Sequence, residues 1–195
     1  MVVICSKNRV LNLYERYIEP IANTYAWVLM KNHFHFLVEM KDTIDLPGFG
    51  NLEGLENKPL HQHFSNLPGF GNLEGLENKP LHQYFSNLFN AYTKAFNKKY
   101  NRTGSLFEKN FHRKLIYNNE YLKKVIVYIH QNPVHHRFCT RASDYPWSSY
   151  QTCISLKNTH LKRDAVIGWF DNLGNFEYYH EKQIETDAIE KWLEI

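Results

Sequence analysis

Residues 25–40 read YAWVLMKNHFHFLVEM, and this stretch decides the fold. Tyr25–Met30 is an apolar run suited to a buried strand, Lys31 and Asn32 form a turn, and His33–Met40 reads as a second strand. Together they predict an antiparallel hairpin. Side chains alternate along a strand, so Phe34, Phe36, Val38 and Met40 share one face, and His33, His35, Leu37 and Glu39 share the other. The first face is uniformly apolar and is the expected core face. The two histidines then stand together away from it, two residues apart on one strand, where both imidazoles reach a single metal ion. Two ligands do not make a site, so a third has to come from elsewhere in the chain.

Outward from the hairpin, helical periodicity appears at Leu11–Glu19, stopped by Pro20. It returns at Tyr84–Tyr100, where Phe85, Leu88, Phe89, Tyr92 and Phe96 form one stripe. Residues 104–116 (GSLFEKNFHRKLI) read as loop plus strand. Asn119–Gln131 is a strong helix with Asn118 or Asn119 as N-cap and Glu120 in its first turn. Its end is expected near Asn132, because Pro133 disfavours helical dihedrals in its predecessor. Residues 151–195 form a tail of helical character that closes on an amphipathic helix at Thr186–Leu193. Strands and helices mix around an antiparallel hairpin, which predicts an α+β fold.

Residues 46–66 and 67–87 are tandem copies of a 21-residue unit that differ only at His63 and Tyr84. Two units are too few for a solenoid, and the PGFG and Gly-Leu-Glu-Asn-Lys-Pro stretches favour loop. The unit reads as a tolerated insertion, since long loops cost little to close. It divides residues 1–45 from residues 85–150, which are read as one domain.

With 195 residues and 43% hydrophobic content, the chain can bury a core; it is too apolar for disorder and too interrupted by charge to span a membrane. No signal peptide is apparent, and Cys5, Cys139 and Cys153 read as free thiols of a reducing, cytoplasmic compartment. The net charge of +3 names no partner. Its distribution is sharper: nine Lys/Arg face two acids between Tyr92 and Lys124, while six acids face three lysines between Lys41 and Pro80. The first segment suits an anionic polymer.

The Asn119–Gln131 helix supplies a candidate third ligand. Tyr128 and Asn132 are one turn apart and neighbour each other on a helix face. A His₂Asn set with open positions suits Mg²⁺ or Mn²⁺ better than a closed zinc site. Spacing alone leaves the alternative that Tyr128 is a core aromatic and Asn132 a C-cap. The other histidines (His130, His135, His136) also admit a structural metal protein.

YAWVLMKNHFHFLVEM resembles the His-hydrophobic-His (HUH) region of the single-tyrosine transposases, and YIHQNPVHHRF (128–138) resembles their catalytic helix. GSLFEKNFHRK (104–114) and DYPWSSY (144–150) are similar to the branch of REP-associated tyrosine transposases. The likeness covers roughly residues 11–45 and 85–180. It implies a ferredoxin-like or palm-like antiparallel sheet with helices packed on one side. It also implies a metal-dependent enzyme, working as monomer or homodimer, that cleaves and rejoins single-stranded DNA bearing a hairpin. In that reading His33, His35 and Asn132 hold Mg²⁺ or Mn²⁺, and Tyr128 is the nucleophile. Lys94, Lys98, Lys99, Arg102, Lys109, Arg113 and Lys114 would line the DNA path, and the protein would be cytoplasmic and nucleoid-associated. The alternative is a catalytically silent hairpin-DNA-binding protein that keeps the fold and the basic face.

Overall fold

The structure is a computed structural model that describes residues 6–41, 81–107, 112–182 and 186–193. The repeat as far as residue 80, together with Lys109 and Cys5, falls outside the described residues. The elements are α1 (Lys7–Tyr17), β1 (Ala22–Leu29), β2 (Phe34–Met40), α2 (Leu81–Tyr100), α3 (Asn119–His135), a 3-10 turn (Ala142–Asp144), α4 (Tyr150–Ile154), α5 (Arg163–Trp169), α6 (Leu173–Glu181) and α7 (Thr186–Leu193).

β1 and β2 pair antiparallel, with Val28 opposite His35 and Leu29 opposite Phe34. The fold is therefore α+β, an antiparallel sheet flanked by helices. A bulge between Thr24 and Ala26 shifts the alternation of β1. Before it, Thr24 pairs with Val38 and its hydroxyl meets the buried Tyr14 hydroxyl of α1 at 2.8 Å. After it, Ala26 pairs with Leu37 and turns to the opposite face. The far edge of β1 is also covered: Leu29 N–H donates to Trp147 O at 2.8 Å, and Ser149 N–H to Trp27 O at 2.9 Å.

Both faces of this sheet are packed, which corrects the expectation of a single core face with helices on one side. Against Phe34, Phe36 and Val38 lie Val10 and Tyr14 of α1, its C-cap Ile18, and Tyr84, Leu88 and Tyr92 of α2. Against Ala26, Val28 and Leu37 lie Val125, Ile126 and Ile129 of α3, backed by Val166, Phe170 and Phe176. The His33–Glu39 face contains only one apolar residue, Leu37, so its burial was invisible in the strand. The apolar face of α3 supplies the rest.

Three boundaries also differ. α2 begins at Leu81, three residues before the expected start at Tyr84, so the last seven residues of the second repeat copy are helix. Tyr84 is buried in the core there, at the position where the copies differ. Residues 112–117 form no strand, and Leu115 and Tyr117 are exposed. α3 continues past Pro133 to His135. Its end closes as a Schellman motif, with Arg137 left-handed at φ 59°, its N–H on Val134 O at 2.9 Å and Phe138 N–H on Pro133 O at 2.8 Å. That closure satisfies Val134 O and Pro133 O, two of the carbonyls that a helix end otherwise leaves open. At the other end, Asn118 is the cap, its side chain accepting from Glu120 N–H at 2.8 Å.

α3 is tied to its surroundings by a buried polar chain. His180 Nδ1–H donates to Phe176 O at 2.7 Å, so His180 Nε2 must accept from His130 Nδ1–H at 2.8 Å. His130 Nε2 in turn accepts the Ser149 hydroxyl at 2.7 Å, and Ser149 Oγ accepts Trp27 N–H at 2.8 Å. Each proton has one consistent place, and both rings are neutral. His130 therefore serves the core, which sets aside its reading as a metal ligand.

Candidate active site

The hairpin turn and the C-terminal turn of α3 meet at one place. His33 Nε2 lies 3.0 Å from Asn132 Oδ1, and Asn132 Nδ2 donates to His35 Nε2 at 3.4 Å. The His33 and His35 rings are 5.2 Å apart, centroid to centroid, and the Tyr128 ring stands edge-on to His35 at 5.5 Å. Residues from two elements 99 positions apart in sequence thus share one site. The strand period brings the two histidines to one side, and the helix period stacks Tyr128 below Asn132.

Electrostatics here favour a neutral His35. Burial, then the neighbouring His33 and His136, push His35 down to about 3. His136, just beyond α3, sits edge-on to the His33 ring at 5.2 Å and is itself lowered by partial burial and by His33 and His135. Neutral imidazole is the form that binds metal.

The donor set also fits a hard cation. The second nitrogen of His33, Nδ1, is 3.0 Å from Asn32 Oδ1. His33 therefore has a carboxamide oxygen at each ring nitrogen, yet a neutral imidazole has one N–H. One of the two nitrogens therefore presents a lone pair to its neighbour, and a bound cation would complete that contact. His33 Nε2, His35 Nε2 and Asn132 Oδ1 are the atoms that would hold Mg²⁺ or Mn²⁺, with remaining positions for water or phosphate.

Tyr128 is only 2% exposed. Its hydroxyl donates to Glu190 Oε1 of α7 at 3.5 Å, and the same oxygen is 3.7 Å from His135 Nε2. Burial and the Glu190 carboxylate push the phenol up to about 12. Sequence reading did not find Glu190; the periodicity of α7 gave its apolar face but no sign that the face docks on α3.

The basic residues divide. Lys94, Lys98, Lys99 and Arg102 are exposed on or just after α2, in the layer across the sheet from α3. Lys99 Nζ lies 5.3 Å from the Tyr100 ring, and Arg102 lies 5.7 Å from the Phe96 ring. Arg113 and Lys114 are exposed on the segment leading into α3, with Lys114 Nζ 5.7 Å from the Trp192 ring of α7. No described contact joins the α2 cations to the histidine–tyrosine site.

Sequence reading also missed Glu15, Glu19 and His160, whose ligand atoms lie within 4.8 Å of one another. Within it, His160 Nδ1 and Glu19 Oε2 are paired at 2.6 Å. It borders a cavity of about 340 Å³ between α1, β1 and residues 158–161, apart from the His33 site. No described helix is long and apolar enough to cross a membrane.

No protein-family model matches the chain, and no curated protein does. A solved structure described as a REP-associated tyrosine transposase bound to a REP hairpin matches it at 14% identity over 76% of the chain, with a TM-score of 0.47. The chain spans 64% of that protein's length, less than two thirds. The functional reading accordingly stands on the site geometry.

Proposed function

We propose that this chain is a metal-dependent transposase and endonuclease of single-stranded, hairpin-bearing DNA, which cuts and rejoins strands through a 5′-phosphotyrosine link to Tyr128. The observation that carries the proposal is the meeting of His33, His35 and Asn132 within hydrogen-bond distance, with the Tyr128 ring packed on His35. Mg²⁺ or Mn²⁺ bound there supplies Lewis-acid polarisation of the scissile phosphate and offsets charge on the leaving oxygen.

The residues of the chain do the rest. Tyr128 Oη forms a bond to phosphorus as the bond from phosphorus to the 3′-oxygen breaks, and the phenolic proton ends on the released 3′-hydroxyl. One phosphodiester replaces another, so a second 3′-hydroxyl reverses the step without a nucleotide cofactor. Asn132 and Tyr128 share a rigid helix anchored through His130, which fixes their spacing. Arg113 and Lys114, on the segment leading into α3, would meet the DNA backbone nearest the site, and Lys94, Lys98, Lys99 and Arg102 would extend the cationic surface on the other side of the sheet.

The burial of Tyr128 beneath Glu190 favours a second reading, a catalytically silent hairpin-DNA-binding protein. One experiment separates the two. Labelled hairpin DNA with single-stranded flanks is incubated with the protein and Mn²⁺ and run under denaturing conditions. The enzyme reading expects a covalent adduct that is absent with Tyr128→Phe and with EDTA. Binding without any adduct selects the silent binder.

A further inference from the structure

We infer that Asn32 is a positioning residue for the cation site, acting through His33 by fixing which ring nitrogen carries the proton. The inference rests on the proposed reading of His33 as a ligand and extends it by one residue. Asn32 ends the hairpin turn immediately before His33, and its Oδ1 lies 3.0 Å from His33 Nδ1. A carboxamide oxygen only accepts, so this contact is made only when the imidazole proton is on Nδ1. Nε2 then presents its lone pair toward Asn132 Oδ1, 3.0 Å away, and toward the space shared with His35.

The opposite tautomer is self-blocking. With the proton on Nε2, His33 would donate to Asn132 Oδ1 and close two ligand atoms on each other in one bond. Nothing else in the geometry disfavours that arrangement, because the Asn132 contact rewards it. Asn32 is the group that competes, by offering Nδ1–H an acceptor. An exposed turn residue therefore decides whether the site is open to a cation. Partners of this kind, bonded to the outer nitrogen of a ligating histidine, are generally worth about 10- to 100-fold in metal affinity.

Two measurements on the full chain test this. In metal-free protein, long-range ¹H–¹⁵N spectra read the His33 tautomer: protonated Nδ1 is expected in the wild type, and a shift toward protonated Nε2 in Asn32→Ala. In Mn²⁺ titrations followed by calorimetry, Asn32→Ala is expected to bind about 10- to 100-fold more weakly. Asn32→Asp, which keeps an acceptor, should bind at least as well as wild type, and thermal unfolding should be alike for all three. Wild-type Mn²⁺ affinity in Asn32→Ala, or an Asn32→Asp as weak as Asn32→Ala, overturns the inference. Mn²⁺ affinity unchanged by His33→Ala overturns the site reading beneath it, a failure that the two Asn32 variants alone would not produce.

Discussion

Acidification should loosen the anchor of α3, and the size of the effect follows from the buried histidine chain. His180 is held down to about 4 by burial, against about 6.5 in an unfolded chain. His130, completely buried, is lowered in the same direction by burial and by His180. A histidine with a depressed folded value binds fewer protons folded than unfolded. Its contribution is therefore complete above about pH 6.5 and is lost as pH falls toward the folded value. For His180 alone, about 2 kcal/mol of stability disappears between about pH 8 and pH 5. His35 adds to the loss with the same sign while no metal is bound. His160, raised by Glu19, opposes it, but its side chain is 73% exposed and the effect is small. The assay is urea unfolding at both pH values, for wild type and His180→Gln. The quantity compared is the difference between the two pH values, so a lower baseline stability in the variant does not matter. His180→Gln should shrink that difference by about 2 kcal/mol. An unchanged difference would refute the network as its source.

Three further outcomes are expected. Tyr14→Phe leaves the buried Thr24 hydroxyl without its 2.8 Å partner and should cost about 1–3 kcal/mol in denaturant unfolding. Replacing Lys98 and Lys99 by Gln should weaken binding to single-stranded DNA and flatten the plot of log affinity against log salt by about 0.7 per lost phosphate contact, with the same effect for every base sequence. Deleting residues 46–66 halves the repeated insertion and should change unfolding free energy by no more than about 0.6 kcal/mol.

Much of the site was legible in the chain because two periods expose it. Alternation in residues 33–40 put His33 and His35 on one side, and helical spacing put Tyr128 beside Asn132. The amphipathic stripe of α2 and the last helix at Thr186–Leu193 were equally plain, since each is local patterning. What failed was local too. Pro133 argued for a helix end, but the Schellman closure beyond it carries the helix one turn further. The repeat argued for loop as far as Tyr84, but the helix whose Tyr84 and Leu88 join the core begins three residues earlier, at Leu81.

Sequence alone determined the hairpin, the helix that bears Tyr128 and Asn132, and the set of residue types able to hold a cation beside a phenol. Only the tertiary structure decided that these residues meet, that both sheet faces are buried, that Glu190 lies against the Tyr128 hydroxyl, and that His130 belongs to the core. The reason is physical. Periodicity reports which side chains share a face of their own element, whereas the partner of that face depends on packing between elements. Here the decisive contacts join residue 33 to 132, 128 to 190 and 130 to 180, and no local pattern encodes such separations.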